Sequence, residues 1–464
     1  MRILALAMLL TLGACATAGP DYRPPEQAVA TTPAAQGRFD AARSDAFAAG
    51  EAPDAWWQLY GDARLDALVT AALAANADLR VADANLRRAE AVVREVRGSR
   101  ALSTTIGGGA SLDRPSQLGG RLPGVVDESL TLSLAYPLDV RGKIARAIEA
   151  SEADREAVLA ARDAVRATVA AGVVRAYAGT CGANYSLAVN RRVVSLQRDT
   201  LNATQRLAKG GRGTAFDVSR ADAAVRNSEA TLPAFEAQRD TALYTLAALL
   251  GRAPAAYPRE IAGCATLPRL NRPLPTGDGA ALIRRRADIR AAERSIAADT
   301  ARIGVAVADL YPQISLGGSV GIDGPLGNLG SGASFGFSLG PLISWSFPNR
   351  PIVRARIAQA EAQVQADLAQ FDATVLTALR ETETALTNYA RGRERVAALT
   401  RARDSAARSS SQAERLFRFG RSDFLTLLDA QRTLADSEAR RTQAEVQLVD
   451  DQVDVFEALG GGWR

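Results

Sequence analysis

The side chains that most often perform chemistry are scarce in this sequence. Its 464 residues include no histidine and three cysteines, which excludes His-based zinc sites and every imidazole general base. Neighbouring carboxylates such as Glu381 and Glu383 occur only as helix-surface charges. The run 330–332 lacks the Lys-Ser/Thr pair of a phosphate-binding loop, so we expect a turn between strands. The sequence therefore predicts no catalytic residue, no metal site and no cofactor, and we expect the chain not to be an enzyme.

The first cysteine stands at the end of an export signal. An apolar run, residues 3–12, follows Arg2 and leads into small residues, which is the layout of a secretory signal peptide. The sequence Leu-Gly-Ala-Cys at 12–15 is similar to a bacterial lipobox and predicts a signal peptide over 1–14 and a lipidated Cys15. The alternative is an ordinary signal peptide with a chance cysteine. Because no segment is apolar and long enough for a membrane helix, any membrane crossing must be made of strands.

Acidic and basic residues nearly balance. The chain has 56 Lys and Arg against 51 Asp and Glu, and a net charge of +5. The positive charges alternate with negative ones and form no basic block, so we expect no nucleic-acid partner.

The mature chain begins with a segment that shows no periodicity. Residues 15–52 are rich in Pro, Ala and Gly and predict an extended, lipidated tether. From Trp56, apolar residues that include Leu65, Leu68 and Leu79 recur at near-helical spacing and predict a first amphipathic helix.

The rest of the sequence is duplicated. Residues 211–221 align with residues 420–430, at an offset of 209 positions. A period of about 200 residues is too long for a solenoid. We therefore expect two structural repeats, 53–260 and 261–464, each with the same order of elements.

Each repeat contains two candidate strands. Residues 314–322 and 335–339 alternate apolar side chains with Ser and Gly, and so do residues 130–136, while a weaker Gly-rich strand covers 102–112. Strands of about 9 to 11 residues with one polar face are typical of transmembrane barrels. A soluble hairpin packed on a core is the alternative.

A long helical stretch follows each strand pair. Residues 140–209 and 351–418 have almost no Pro or Gly, and apolar residues between 364 and 389 recur at steps of 3 and 4, as in a coiled-coil seam. Each stretch ends at a Gly-containing turn, and a second helix returns over 215–250 or 423–459. Two helical hairpins of about 100 Å fit a protein that bridges a distance.

The remaining cysteines, Cys181 and Cys264, lie on either side of the first hairpin turn. Cys181 precedes the turn within the long helical stretch, and Cys264 follows a return helix of similar length, so the two would lie at one height. We expect a disulfide in an oxidising periplasm, and two buried free thiols are the alternative.

Several stretches spread over the whole mature chain match one known family in order. They are 19–24, Trp56-Trp57 with Leu65 and Leu68, 286–293, 301–305, 311–315, 423–432 and 458–463. Together they resemble the TolC-like outer membrane factors, the channels of bacterial efflux and type I secretion systems, and in particular their lipoprotein branch of the RND and NodT type. The resemblance implies a mixed, mainly α fold in which a homotrimer closes a 12-stranded transmembrane β-barrel, four strands from each chain, continued by a long α-helical periplasmic barrel.

The same resemblance implies a function. The chain would be the passive exit duct of a tripartite efflux pump for small molecules, lipid-anchored in the outer membrane and gated at its periplasmic helix tips. Its partners would be a periplasmic adaptor (membrane fusion) protein, an inner-membrane RND-type pump and outer-membrane lipid. A type I protein secretion channel, and a periplasmic adaptor or scaffold lipoprotein, are the alternatives.

The resemblance also assigns a gate. Leu425, Asp429 and Arg432 are spaced i, i+4 and i+7, so they share one helix face, and the family's pore-narrowing apolar and aspartate rings lie there. The duplicated positions carry Phe216 and Arg220. A link between Arg220 and Asp429 would hold the closed state, and the alternative is that Arg220 is solvated.

The turns are the positions that in the family meet the adaptor. Phe417 belongs to the same expected gate, but it departs from the Tyr of many family members, whose hydroxyl helps to tie the closed tip. Phenylalanine has no such donor. The expected adaptor-contact residues are Gly210, Gly211, Thr214, Gly420, Ser422 and Asp423.

Overall fold

The computed structural model contains two compact units. Unit 1 comprises Met1–Glu26, Asn85–Leu159 and Ala291–Phe371, and unit 2 comprises Gln27–Ala84, Ala160–Arg290 and Asp372–Arg464. The expected signal peptide and Cys15 lie outside the residues that the structure describes. Those residues are 17–113, 116–117, 120–121, 124–270, 272–325, 330–332 and 334–462.

Each half of the chain contains a pair of long strands, then a very long helix and a helical return, and the first half has additional short elements. The α-helices are α1 (Pro33–Gln36), α2 (Ala63–Ala75), α3 (Ala77–Gly98), α4 (Lys143–Lys209), α5 (Ala215–Glu229), α6 (Leu232–Leu249), α7 (Gly279–Arg285), α8 (Ala287–Ala308), α9 (Arg350–Arg418) and α10 (Phe424–Ala458). The strands are β1 (Phe47–Ala48), β2 (Ser103–Asp113), β3 (Ser116–Gln117), β4 (Gly120–Arg121), β5 (Val125–Leu138), β6 (Leu274–Pro275), β7 (Gln313–Pro325) and β8 (Phe335–Ser344). Across the described part of the chain, every helix is too short or too polar to cross a membrane.

Unit 1 contains a four-stranded antiparallel sheet in the order β2-β5-β7-β8. Leu130 of β5 pairs with Gly108 on one side and with Ile322 on the other. The four strands predicted from alternation are confirmed, and residues 330–332 lie between β7 and β8 as expected. β5 and β7 are longer than predicted, at 14 and 13 residues, because their pairing continues through polar positions where the apolar alternation has ended.

The longest elements are α4 and α9, with 67 and 69 residues. At the helical rise each is about 100 Å long, so the predicted long helices are confirmed. The seam predicted on α9 is buried where it runs through unit 2, and Val375 and Leu386 are fully inaccessible there.

The return helix of the first hairpin differs from the prediction. An unbroken helix over 215–250 is wrong, because α5 ends at Glu229 and α6 begins at Leu232. Pro233 lies in the first turn of α6, and a proline cannot donate a backbone hydrogen bond and clashes with the carbonyl four residues earlier. The second return helix contains no proline, and α10 runs without a break.

The first amphipathic helix is also divided. Trp56–Tyr60 forms a 3₁₀ turn, and Asn76 separates α2 from α3. The Asn76 side chain accepts a hydrogen bond from Leu79 N at 3.1 Å and donates one to Leu249 O at 3.1 Å. Asparagine favours such capping positions over a helix interior.

The segment expected to be a tether is packed against the protein. Within unit 2, β1 pairs in parallel with β6, and the carboxylate of Glu383 accepts hydrogen bonds from Asp40 N and Ala41 N. Within unit 1, the buried guanidinium of Arg146 donates to Ala18 O at 3.0 Å and to Asp21 Oδ1 at 2.6 Å. Single buried residues hold this segment in place. The sequence therefore contains no periodic apolar face from which the packing could be predicted.

Candidate functional site

The turns of the two hairpins, both in unit 2, have the same geometry. Arg212 N donates to Leu207 O, and Arg421 N donates to Leu416 O, each at 2.9 Å. The glycine before each arginine has a positive φ, 67° in the first turn and 69° in the second. This is the Schellman termination, which favours glycine in the left-handed conformation. The offset of 209 residues therefore relates equivalent turns, and the predicted duplication is confirmed.

Equivalent residues cap the helices that leave the two turns. Thr214 and Asp217 form a reciprocal capping box at the start of α5. At the start of α10, Asp423 accepts a hydrogen bond from Thr426 N at 2.7 Å, which lowers the pKa of the Asp423 carboxyl. The expected adaptor-contact residues Gly210, Gly211, Thr214, Gly420 and Asp423 are exposed, and Ser422 is half-buried.

The first turns of α10 have two distinct faces. Leu425, Asp429 and Arg432 are exposed in the single chain, whereas Phe424 and Leu428 are buried. The three predicted gate residues therefore share an exposed face. Their position beside a pore stays a prediction.

The matching residues of the first hairpin contact each other. The Phe216 side chain is 66% exposed, and the Arg220 guanidinium lies 5.5 Å from its ring centroid. Among the described residues of one chain, no ion pair joins Arg220 to Asp429. The link between these two residues stays a prediction.

Phe417 takes part in an apolar contact between the hairpins. Its ring centroid lies 6.2 Å from that of Phe424, and both pack with Ala221, Ala224 and Leu428. The phenylalanine thus joins α9 to α10 and α5 without a hydroxyl.

A buried polar contact, which the sequence analysis missed, lies one helical turn along α10 from this cluster. Gln431 Nε2 donates to Thr200 Oγ1 at 2.7 Å, and Gln431 is 2% exposed. We name this hydrogen bond and the apolar cluster of Phe417, Ala221, Ala224, Phe424 and Leu428 the tip clasp. A glutamine in the apolar stripe of α10, seven residues after Phe424, was the available signal.

The two cysteines are joined within unit 2. The structure contains a Cys181–Cys264 disulfide, with both residues buried. Asn184 Nδ2 donates to Ala262 O and Cys264 O at 2.8 and 2.7 Å. These contacts fix the middle of α4 to the chain that follows α6.

A set of carboxylates lies near the C-terminal end of α10. Arg175 donates to Asp454 and Glu457 at 2.5 and 2.7 Å. Burial, together with the charges of Asp454 and Asp451, raises the pKa of Asp450 to about 6, against the lowering effect of Arg175. Among the described residues, no cluster of acidic or cysteine side chains has the arrangement of a metal site.

Residues 68–252 and 280–461 match the family model described as outer membrane efflux protein. The chain belongs to the outer membrane efflux protein family. This efflux protein is 30% identical over 482 residues to the probable efflux pump outer membrane protein TtgC of Pseudomonas putida, a match that covers 99% of this chain and 96% of the relative. It is 28% identical over 470 residues to Nodulation protein T of Rhizobium leguminosarum bv. viciae, covering 100% and 94% of the two chains.

The solved outer-membrane channel OprN is similar to this efflux protein in structure. Its TM-score is 0.88 at 36% identity, with 96% of this chain and 99% of that chain covered. The predicted family and its mainly helical channel fold, with a β part and an internal repeat, are thereby confirmed. The efflux protein is a transport protein of the outer membrane, not an enzyme.

Proposed function

We propose that this outer membrane efflux protein is the passive exit duct of a tripartite efflux pump. Three copies would close a 12-stranded barrel, each contributing the sheet of β2, β5, β7 and β8, and Cys15 would be lipidated. A periplasmic adaptor and an inner-membrane RND-type pump would supply substrates and energy. The relative from Pseudomonas putida, named an efflux pump outer membrane protein, supports this assignment.

The geometry of the helix tips carries the proposal. The buried tip clasp holds the two hairpins of a chain together, and it leaves Leu425 and Asp429 exposed on one face of α10. Around a threefold axis, three leucines would form a dewetting ring and three aspartates an anionic ring. An apolar ring closes a channel by excluding water, and a ring of acidic side chains selects for cations.

Single-channel conductance tests this gate. The purified trimer, reconstituted in a planar bilayer, is expected to show a small conductance that favours cations. Asp429→Ala should raise the conductance several-fold, because it removes the proposed link to Arg220 that would hold the closed state. It should also weaken the preference for cations, because it removes the anionic ring. Asp222→Ala is the matched control, since Asp222 lies on α5 about 200° around the helix from Arg220.

The outcomes separate the fold from the gate. A monomer that never conducts would contradict the duct. A conducting trimer in which Asp429→Ala and Asp222→Ala both behave like the wild type would move the gate away from Asp429.

A further inference from the structure

One end of the four-stranded sheet in unit 1 leads into the long helices. β5 ends at Leu138, β7 begins at Gln313 and β8 ends at Ser344. These three positions lie side by side, because Gln313 pairs with Ser344, and the next residue, Ile314, pairs with Leu138 and Ile343. The chain beyond them leads to α4, α8 and α9. We name this edge the helix end of the sheet.

The apolar face of β8 ends in two exposed aromatic rings at the helix end. Phe337, Leu339 and Ile343 lie on one face of the strand, and all three are exposed. Trp345 and Phe347 continue at the same two-residue spacing, are also exposed, and have ring centroids 5.3 Å apart. Aromatic rings concentrate where the apolar core of a bilayer meets the lipid headgroups. The pair is therefore placed as the rim of a lipid-facing surface would be.

Positive charges follow directly after the aromatic pair. Arg350 and Arg354 are exposed in the first turns of α9, and their spacing of four residues puts them on one helix face. No described residue forms an ion pair with either of them, whereas the next arginine, Arg356, lies 3.8 Å from Asp309 Oδ2. Two exposed guanidinium groups thus lack a counter-charge within the described chain.

The start of α4 adds further cations at the helix end. Lys143 Nζ lies 2.6 Å from Asp309 Oδ1, and the Arg141 guanidinium lies 4.0 Å from the ring centroid of Tyr311. Asp139 caps α4 by accepting hydrogen bonds from two of its first backbone N–H groups. The carboxylates at this end are therefore engaged by other groups.

Basic residues outnumber acidic ones at the helix end. The segments 139–143, 309–312 and 345–356 contain five basic and two acidic residues, and so have a net charge of +3. We name the five basic residues the basic collar, and they are Arg141, Lys143, Arg350, Arg354 and Arg356.

The opposite end of the sheet has the opposite charge. The charged residues of β2, β5, β7 and β8 are all acidic, and they are Asp113, Asp127, Glu128 and Asp323. They lie at the far end from the helices, since Asp113 pairs with Val125 and Asp127 pairs with Pro325. An anionic ligand that contacts the apolar face would therefore be attracted to the helix end and repelled from the other.

We propose that the basic collar binds phospholipids with a net negative headgroup, such as phosphatidylglycerol, in the periplasmic leaflet of the outer membrane. The acyl chains lie along the apolar face of β8, and the phosphate lies against Arg350 and Arg354. A zwitterionic phospholipid carries its own amine charge and gains less from these arginines. The proposal rests on the membrane-crossing sheet of the proposed function, and it does not depend on the gate at the helix tips.

Quenching of Trp345 fluorescence by brominated lipids tests this assignment. The purified protein is reconstituted in phosphatidylcholine bilayers in which part of the lipid is dibrominated phosphatidylglycerol or dibrominated phosphatidylcholine with the same acyl chains. Subtraction of the signal of Trp345→Phe isolates the contribution of Trp345. Brominated phosphatidylglycerol should quench Trp345 at an about 5-fold lower mole fraction, the effect expected of one arginine near an anionic headgroup.

Matched variants separate the collar from charge in general. Arg350→Gln/Arg354→Gln should remove the preference for phosphatidylglycerol, and Arg350→Lys/Arg354→Lys should retain it. Arg401→Gln/Arg408→Gln removes two exposed arginines from the part of α9 in unit 2 and should leave the preference unchanged. The wild type supplies a test without substitution, because a rise in salt from about 0.05 to 0.5 M should screen the headgroup charge and reduce the preference.

The outcomes distinguish the collar from the duct. Equal quenching by the two lipids in the wild type would overturn the proposal, and so would a preference that persists in Arg350→Gln/Arg354→Gln or at high salt. Quenching of Trp345 by neither lipid would overturn both the collar and the membrane contact of the sheet. Conductance of the same samples reports on the duct separately, since a conducting protein without a lipid preference contradicts the collar alone.

Discussion

Removal of the Cys181–Cys264 disulfide should destabilise the protein measurably. The bond joins residues 83 positions apart, and the loop-entropy relation assigns about 4.5 kcal/mol to closing such a loop in the unfolded chain. With an unfolding entropy of about 2.1 cal/mol/K per residue, cooperative unfolding of the whole chain would convert this into a fall of about 5 °C in melting temperature. The variant Cys181→Ala/Cys264→Ala is expected to show that fall.

The assay is thermal unfolding of the purified protein, followed by circular dichroism at one scan rate. The wild type in a strong reductant should melt close to the double variant, and the reductant should not affect the double variant. Alkylation of the unreduced, denatured wild type should leave the peptides containing Cys181 and Cys264 unlabelled. Labelling of both peptides, or equal melting temperatures with and without reductant, would refute the reasoning.

Two further perturbations test the tip clasp and the carboxylates of α10. Thr200→Val should destabilise the chain by about 1–3 kcal/mol, because Gln431 Nε2 loses its buried acceptor, whereas Thr200→Val/Gln431→Leu should be nearly neutral. Urea unfolding measures the free energy of unfolding of both variants. Equal decreases in that free energy would contradict a stabilising role for the hydrogen bond of the tip clasp. Asp450 has a raised pKa of about 6, so its protonated form favours folding, and the stability it contributes is present below about pH 4 and lost as the pH rises through 6. Asp450→Asn should therefore be more stable than the wild type by about 1–2 kcal/mol at pH 8 and equal to it near pH 4. A difference in melting temperature that does not change with pH would show that the raised pKa of Asp450 is not the cause.

The periodic parts of the fold were predictable from the sequence, whereas most individual contacts were not. The strands and the long helices follow from local alternation and heptad-like spacing, and the turns from their glycines. The Thr200–Gln431 contact joins residues 231 positions apart, so it depends on the register between two helices, which no local pattern contains.

The candidate site shows the same division. The spacing of Leu425, Asp429 and Arg432 predicted a shared face because helical geometry alone determines it. Pro233 indicates a break in the helix, but the helix-forming residues around it favoured the prediction of an unbroken helix over 215–250. The relation of Arg220 to Asp429 depends on packing between hairpins, which no local pattern of the sequence contains.

The packed N-terminal segment has a consequence for the order of assembly. Tyr22 donates to Glu293 Oε1 across 271 positions, and Val29 N donates to Asp372 Oδ1 across 343. Contacts between residues so distant in the chain form late in folding, because the entropy of closing the loop precedes any gain. The N-terminal segment is thus expected to pack against the rest of each unit only after that unit has formed.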